Sequence, residues 1–119
     1  MKTTARLLAG AVALTVGSGV AMAQDTLGFV THAQGNPFIQ QIVDGANAAA
    51  KDLGLSLQVS QEAGGEAEAQ LRAVQNFVNA GAKGVATSVP GEAMAKGLNE
   101  LIASGTPIVQ YNLLSTSVN

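Results

Sequence analysis

The sequence has 119 residues, a formal net charge of −2 and no cysteine, and 47% of its residues are hydrophobic. The absence of cysteine excludes a fold held together by disulfide bonds, so stability must come from an apolar core. The chain is weakly acidic and its sequence has no cluster of basic residues that could bind a nucleic acid, so we expect no nucleic-acid partner.

Residues 1–23 have the pattern of a secretory signal peptide. Lys2 and Arg6 give it a positive start, residues 7–20 are uncharged and mainly apolar, and an Ala-Met-Ala cleavage motif ends at Ala23. The apolar run of about 14 residues is shorter than a helix that spans a bilayer. The alternatives are an N-terminal membrane anchor or a buried helix. We expect export to the periplasm and cleavage after Ala23, without a lipid anchor because no cysteine follows the motif.

Beyond the signal peptide, short apolar runs alternate with helical periodicities. Strands are predicted at 27–32, 55–60, 84–89 and 107–111, and helices at 37–53, 66–80 and 92–104. Asn36 suits the N-cap of the first helix, and Gly54 suits its end. The inward stripe of this helix is predicted to consist of Phe38, Ile42, Ala46, Ala49 and Leu53.

The order β-α-β-α-β-α-β predicts an α/β fold, a three-layer doubly wound parallel sheet with helices on both faces. We expect the strand order 2-1-3-4. The second strand alternates between apolar and polar side chains, which favours a place at the edge of the sheet. Residues 24–119 contain no linker or low-complexity stretch, so we expect them to form one domain.

In such a sheet, ligands bind beyond the carboxyl ends of the strands, where successive crossovers leave in opposite directions. The loops that reach this place are 33–38 and 90–92, flanked by 112–113. Candidate site residues are Asn36, Phe38 and Asn112, with His32, Gln34, Pro90 and Glu92 on the rim. Five of these residues have a structural alternative: Asn36 as a helix cap, Phe38 as a core residue, His32 as a loop histidine, Glu92 as a helix-start carboxylate and Asn112 as a turn residue.

The predicted binding crevice, which these loops would form, lacks the residue patterns on which most enzymes depend. The sequence has no G-x-S-x-G nucleophile motif, no H-E-x-x-H metal motif and no G-x-x-x-x-G-K-[ST] phosphate loop. Glu92 has no second carboxylate beside it for acid–base work. We therefore predict no catalytic residues, no metal, no cofactor and no enzymatic activity.

Several short segments, in order, are typical of one family. They are G-N-P-F at 35–38, D-G-A at 44–46, D-L-G at 52–54, Q-N-F-V at 75–78 and G-T-P-I-V at 105–109. Together with the signal peptide, they make residues 24–119 resemble the N-terminal lobe of type I periplasmic sugar-binding proteins. These proteins deliver ligands to ABC importers. The resemblance implies a monosaccharide or related polyol as ligand, bound in a cleft between two lobes.

The resemblance also implies roles for particular residues. Asn36 matches a residue that bonds a sugar hydroxyl, Phe38 one that stacks on the sugar ring, and Ile39 a second wall residue. Asn112 and Leu113 stand where the ribose-binding branch has an Asp-Arg pair, which argues against ribose as the ligand. The implied partner is an ABC permease in the inner membrane, and we expect a monomer at full length.

Family members have two lobes, whereas this pattern covers one. We therefore expect a fragment that lacks the second lobe and that binds sugar weakly or not detectably by itself. An alternative function is a periplasmic sensor that delivers a sugar or small signal molecule to a chemoreceptor or histidine kinase. A sugar-responsive repressor would need an N-terminal helix-turn-helix where this chain has a signal peptide, and an envelope enzyme would need catalytic residues.

Overall fold

The computed structural model describes residues 22–61 and 65–119. The predicted signal peptide lies almost entirely outside these residues, so cleavage after Ala23 stays a prediction. Within the described residues no helix is long and apolar enough to cross a bilayer.

The described residues form a parallel sheet with helices on both faces. In chain order the elements are β1 (Thr26–Thr31), α1 (Pro37–Asp52), β2 (Ser56–Gln61), α2 (Ala67–Asn79), β3 (Val85–Thr87), a 3₁₀ turn (Glu92–Met94), α3 (Ala95–Ala103) and β4 (Ile108–Gln110). The strand order is β2-β1-β3-β4, and every pair is parallel. The predicted α/β class, the strand order and the edge position of β2 are therefore confirmed.

The strand register divides the side chains between two faces. Phe29 pairs with Val59 on β2 and with Ala86 on β3, and these three residues contribute to the apolar cluster under α1. Val30 is the next residue along β1, so its side chain points to the opposite face. It lies in the larger cluster with residues of α2 and α3, such as Val74.

Asn36 starts α1 as the sequence predicts. Its side-chain Oδ1 accepts hydrogen bonds from the backbone N–H of Phe38 at 2.9 Å and of Ile39 at 3.4 Å. Pro37 occupies the first helical position, where its missing N–H costs nothing. After the helix, Gly54 has a φ of 69°, a left-handed conformation that glycine adopts most easily.

The predicted inward stripe of α1 is wrong at both ends. Phe38 and Leu53 are exposed, with 59% and 72% of their surface accessible, whereas Ile39, Val43 and Ala50 are buried. The helix is rotated by about one position relative to the prediction, or roughly 100°. In a helix this rich in alanine, two neighbouring stripes satisfy the same periodicity, and the larger Ile39 and Val43 side chains take the core.

On the α2–α3 face, two glycines lie in close contact with side chains of α2. A Cβ added to Gly28 in β1 would lie 2.7 Å from the ring of Phe77 in α2. A Cβ added to Gly97 in α3 would lie 2.5 Å from a methyl group of Leu71 in α2. Real Cβ atoms essentially never come so close, so these contacts depend on the absence of a side chain.

The third predicted helix is divided in the structure. Residues Glu92–Met94 form a 3₁₀ turn, and α3 begins at Ala95. The N–H of Met94 bonds to the carbonyl of Gly91 at 3.1 Å, three residues earlier. No side chain caps this turn, and tighter i→i+3 bonds are a common way to satisfy a helix end without a cap.

Among residues 22–61 and 65–119, α1 is the one helix on the opposite face. This helix packs beside β1 and β2 and leaves the amino-terminal half of the β3–β4 side open. A groove of about 370 Å³ results there, lined by apolar residues that include Leu27, Leu55, Pro107 and Val109. Val109 has 62% of its surface exposed.

Candidate functional site

The structure brings together the loops that follow β1, β3 and β4, as the sequence predicts. Val89, after β3, donates its N–H to the carbonyl of Leu113, after β4, at 2.8 Å. His32, directly after β1, places Nδ1 2.9 Å from Oγ of Ser88, after β3. These two bonds tie the three loops into one surface, which we call the crevice.

Asn36 and Phe38 lie where α1 enters the crevice, and both are exposed. The Oδ1 atom of Asn36 is used by the helix cap, while its Nδ2 atom makes no hydrogen bond among the described residues. Asn36 can therefore cap the helix and still donate to a ligand. Phe38 is not a core residue, because more than half of its surface is exposed.

Ile39 contributes to the core rather than to the crevice surface. It is 2% exposed and packs with Phe29 and Val43. Its role as a second wall of the site, which the family resemblance implies, stays a prediction.

The loop after β4 is shaped by a left-handed residue. Asn112 has a φ of 59°, a conformation that asparagine tolerates better than most residues. The N–H of Leu113 bonds back to the carbonyl of Tyr111 at 2.7 Å. This tight turn leaves Asn112 exposed and Leu113 partly exposed at the crevice, so the turn-residue interpretation of Asn112 is compatible with a ligand contact.

The remaining rim candidates differ in their surroundings. Gln34 is exposed and Pro90 is half-buried. The carboxylate of Glu92 accepts a hydrogen bond from the hydroxyl of Ser115 at 2.8 Å. This bond, followed by one with Ser117, lowers the pKa of Glu92. Glu92 thus holds the C-terminal tail in place, and we expect it to remain ionised.

Tyr111 forms part of the crevice floor and was not singled out by sequence reasoning. Its ring stacks on Phe29 with centroids 4.7 Å apart, and its hydroxyl donates to the carbonyl of Val30 at 2.8 Å. Burial raises the pKa of Tyr111 to about 12, and the nearby Ser88 hydroxyl has a smaller opposing effect. The phenol is therefore a neutral hydrogen-bonding group at physiological pH.

Gln70 and Ser88 are two further polar residues under the crevice that sequence reasoning missed. Both are fully buried. Nε2 of Gln70 lies 2.6 Å from Oγ of Ser88 and 2.7 Å from its carbonyl oxygen. The available signal was a glutamine on the inner side of α2, one residue before Leu71, in a stripe that is otherwise apolar.

This arrangement can bind but offers little for chemistry. It presents amide, imidazole and phenol groups beside one exposed aromatic ring, and none of the rim residues named above is a lysine or arginine. Among residues 22–61 and 65–119 no group of histidine, cysteine, aspartate and glutamate side chains could hold a metal ion. A larger cavity of about 730 Å³ lies elsewhere, between α2 and the edge strand β2, near Val59, Arg72 and Phe77.

The sequence matches a known protein family over most of its length. Residues 27–118 match the model of the family described as periplasmic binding protein domain. This range contains every strand of the sheet except the first residue of β1, and all the crevice loops. No curated protein gives a match.

Several solved structures share the fold. A chain of the XylFII–LytSN complex has a TM-score of 0.77 and 22% identity, covering 82% of this chain and 36% of that one. A periplasmic sugar-binding protein of an ABC sugar transporter from Legionella pneumophila has a TM-score of 0.73 and 21% identity, with coverages of 78% and 35%. A carbohydrate transporter from Acidothermus cellulolyticus 11B, in complex with myo-inositol, has a TM-score of 0.68 and 28% identity, with coverages of 76% and 32%. The present chain thus spans about a third of the length of these structures.

Proposed function

Since the chain belongs to the family of periplasmic binding proteins, we propose that it binds a monosaccharide or related polyol in the periplasm and serves an ABC importer. The family membership supports the resemblance drawn from the sequence and a role in binding rather than catalysis. The D-allose bound in one similar structure and the myo-inositol bound in another support a polyhydroxylated ligand. Export by cleavage after Ala23 belongs to this proposal.

The observation that carries the proposal is the exposed Phe38 ring beside Asn36 at the mouth of the crevice. An aromatic face offers an apolar platform for the C–H side of a sugar ring, and burying it on binding is favourable. The free Nδ2 of Asn36 can donate to a ligand hydroxyl. A helix rotated as the sequence alone suggested would have buried Phe38 and left no such platform.

The polar groups of the crevice suit an uncharged ligand. The amides of Asn36 and Asn112 can each donate to a hydroxyl oxygen, and an amide oxygen can accept from one. A carboxylate or phosphate ligand would call for a charge-assisted partner such as arginine. The rim offers instead the ionised Glu92, which would repel an anion.

The proposal is tested by nuclear magnetic resonance titration of the 119-residue chain with neutral monosaccharides and myo-inositol. We expect binding weaker than micromolar, because an open crevice contacts only one side of a ligand. The backbone amides that shift should cluster at Asn36, Phe38 and Asn112. Shifts confined to the apolar groove, or binding of micromolar or tighter affinity by this chain alone, would contradict the proposal.

Two exposed apolar residues, Phe38 in the first turn of α1 and Leu53 directly after its last residue, provide a matched pair. Phe38→Ala should abolish the sugar-dependent shifts, whereas Leu53→Ala, at the other end of the helix, should leave them unchanged. Equal effects of the two substitutions would show that Phe38 has no special contact with the ligand.

A second function, a periplasmic sensor that presents its ligand to a chemoreceptor or histidine kinase, is favoured by one observation. A similar chain occurs in a complex with a second protein, the XylFII–LytSN complex. Neighbouring genes for an ATPase and a permease would favour transport, and a neighbouring kinase gene would favour sensing.

A further inference from the structure

Gln70 is a fully buried primary amide whose orientation is set by chemistry. Its amide nitrogen lies 2.7 Å from the carbonyl oxygen of Ser88, which can only accept a hydrogen bond. Exchanging the two ends of the amide would place Oε1 against that carbonyl and leave two acceptors in contact. Nε2 must therefore face Ser88, and it also donates to the Ser88 hydroxyl at 2.6 Å.

The Ser88 hydroxyl then has one hydrogen left to donate. It already accepts from Gln70, and Ser88 is fully buried, so that bulk water cannot take this hydrogen. Nδ1 of His32, 2.9 Å away, is an acceptor within hydrogen-bonding distance. The Tyr111 oxygen is the other acceptor near Ser88, but His32 has the geometry of a formed hydrogen bond.

We infer that Gln70, acting through Ser88, holds His32 as the neutral tautomer with its proton on Nε2. A nitrogen that accepts from Ser88 carries no proton, so in neutral imidazole the proton must lie on the other nitrogen. Gln70 and Ser88 are then positioning residues for the histidine. The chain of donors runs in one direction, from the Gln70 amide to the Ser88 hydroxyl to the His32 ring.

The consequence concerns which ligand atom the histidine can meet. The Nδ1 edge of the half-buried ring is turned to buried Ser88, so Nε2 lies on the outer part of the ring, and among the described residues it makes no hydrogen bond. His32 would thus offer an N–H donor to an acceptor oxygen of the ligand, such as a hydroxyl or ring oxygen. This last step rests on the proposed function; the tautomer does not.

The tautomer can be read directly, because the sequence contains one histidine. We would record long-range ¹⁵N–¹H spectra of the 119-residue chain without ligand at about pH 8.5. We expect widely separated shifts for the two ring nitrogens, with Nε2 protonated. A proton on Nδ1, or two averaged shifts that indicate exchange between tautomers, would overturn the inference.

Variants test whether Gln70 and Ser88 impose that state. Gln70→Met keeps the length of the side chain but removes the donor, and Ser88→Ala removes the hydroxyl; in both, the two nitrogen shifts should move toward each other. Gln40→Met, at an exposed glutamine of α1 whose side chain donates to Asp44, should leave both nitrogen shifts unchanged. If both nitrogens keep their limiting shifts in Ser88→Ala, the relay is wrong even where Gln70→Met fails to fold.

Sugar titration separates this inference from the proposed function. A wild-type chain with the expected tautomer, whose sugar-dependent shifts are confined to the apolar groove, would refute the ligand assignment and leave the relay in place. A chain that binds sugar at the crevice but whose two histidine nitrogen shifts are averaged would support the ligand assignment and refute the relay.

Discussion

The two faces of the sheet are covered to different extents. On one face, α2 and α3 pack so closely that β1 needs Gly28 beneath the Phe77 ring, and Val30 and Val74 are completely buried. On the other face, α1 is the one helix of the described residues that shields β1 and β2, and Val109 of β4 remains largely exposed beside the apolar groove. The same four strands thus support a tight interface and an open one.

The crevice contains residues from both faces of the sheet. Gln70 and Ser88, on the α2–α3 side, are fully buried and hydrogen-bonded to each other. The exposed parts, Asn36 and Phe38, come from α1 on the open side. Tyr111 fills the carboxyl end of the open face by stacking on Phe29, so that the groove is confined to the amino half of the strands. Rigid support from one face and accessible groups from the other are what a binding surface requires.

Truncation of a leucine on each face should give the largest contrast. Leu98 of α3 is fully buried, whereas Leu53 near the end of α1 is mostly exposed. We expect Leu98→Ala to lower the free energy of unfolding by about 2–5 kcal/mol, because it removes buried methyl groups and leaves a cavity. Leu53→Ala should change it by no more than about 0.5 kcal/mol. Urea unfolding followed by circular dichroism measures both, and comparable losses would mean that the open face is covered in solution.

A glycine substitution tests the close approach of α2 to the sheet. Gly28→Ala places a methyl group against Phe77 and should cost about 1–3 kcal/mol of unfolding free energy, because the ring must shift in a packed core. Gly45→Ala is the matched control in the middle of α1, where an added Cβ meets nothing within 4 Å. It should stabilise the chain by about 0.5–1 kcal/mol through helix propensity. A neutral Gly28→Ala would show that the α2 interface has room to spare.

Removal of the α1 cap should have a smaller effect on the open face. Asn36→Ala deletes the acceptor for two backbone N–H groups, and the typical cost of such a loss is about 1 kcal/mol. Glu66→Ala is the control, since Glu66 occupies the N-cap of α2 without a side-chain cap bond. Its effect on the free energy of unfolding should be less than half as large. Equal effects would mean that the Asn36 bonds contribute nothing specific.

The architecture could be predicted from the sequence because its signals are local. Apolar runs, helix caps and glycine stops place every strand and helix within a few residues, and the order of elements implies the parallel sheet. The rotation of α1 could not be predicted in the same way. Alanines at 46, 48, 49 and 50 flatten the contrast between its sides, so the choice between Phe38 and Ile39 as the core residue depends on the sheet beneath them.

The place where the loops after β1, β3 and β4 meet could be predicted from the sequence, but the buried polar residues beneath it could not. The carboxyl ends of parallel strands locate the crevice whatever their side chains are, and His32, Asn36 and Phe38 follow directly from that rule. Gln70 and Ser88 lie 18 residues apart in sequence, on a helix and on a loop. Their hydrogen bonds arise from the register of α2 over β3, which is a tertiary property that no local pattern encodes.

The last prediction concerns the ionisation of Tyr111, which changes the free energy of unfolding only at high pH. Its folded pKa of about 12 lies above the ordinary value of 10.0, since burial disfavours the charged phenolate. The unfolded chain therefore loses this proton first as the pH rises. The resulting contribution to stability is complete below about pH 10 and is lost as the pH approaches 12.

As Tyr111 is the single tyrosine of the chain, near-ultraviolet absorbance should report its titration without overlap. The free energy of unfolding should fall more steeply over this interval in the wild type than in Tyr111→Phe. Titration at the ordinary pKa would mean that the ring does not stay stacked on Phe29, and that the open face is open along its whole length.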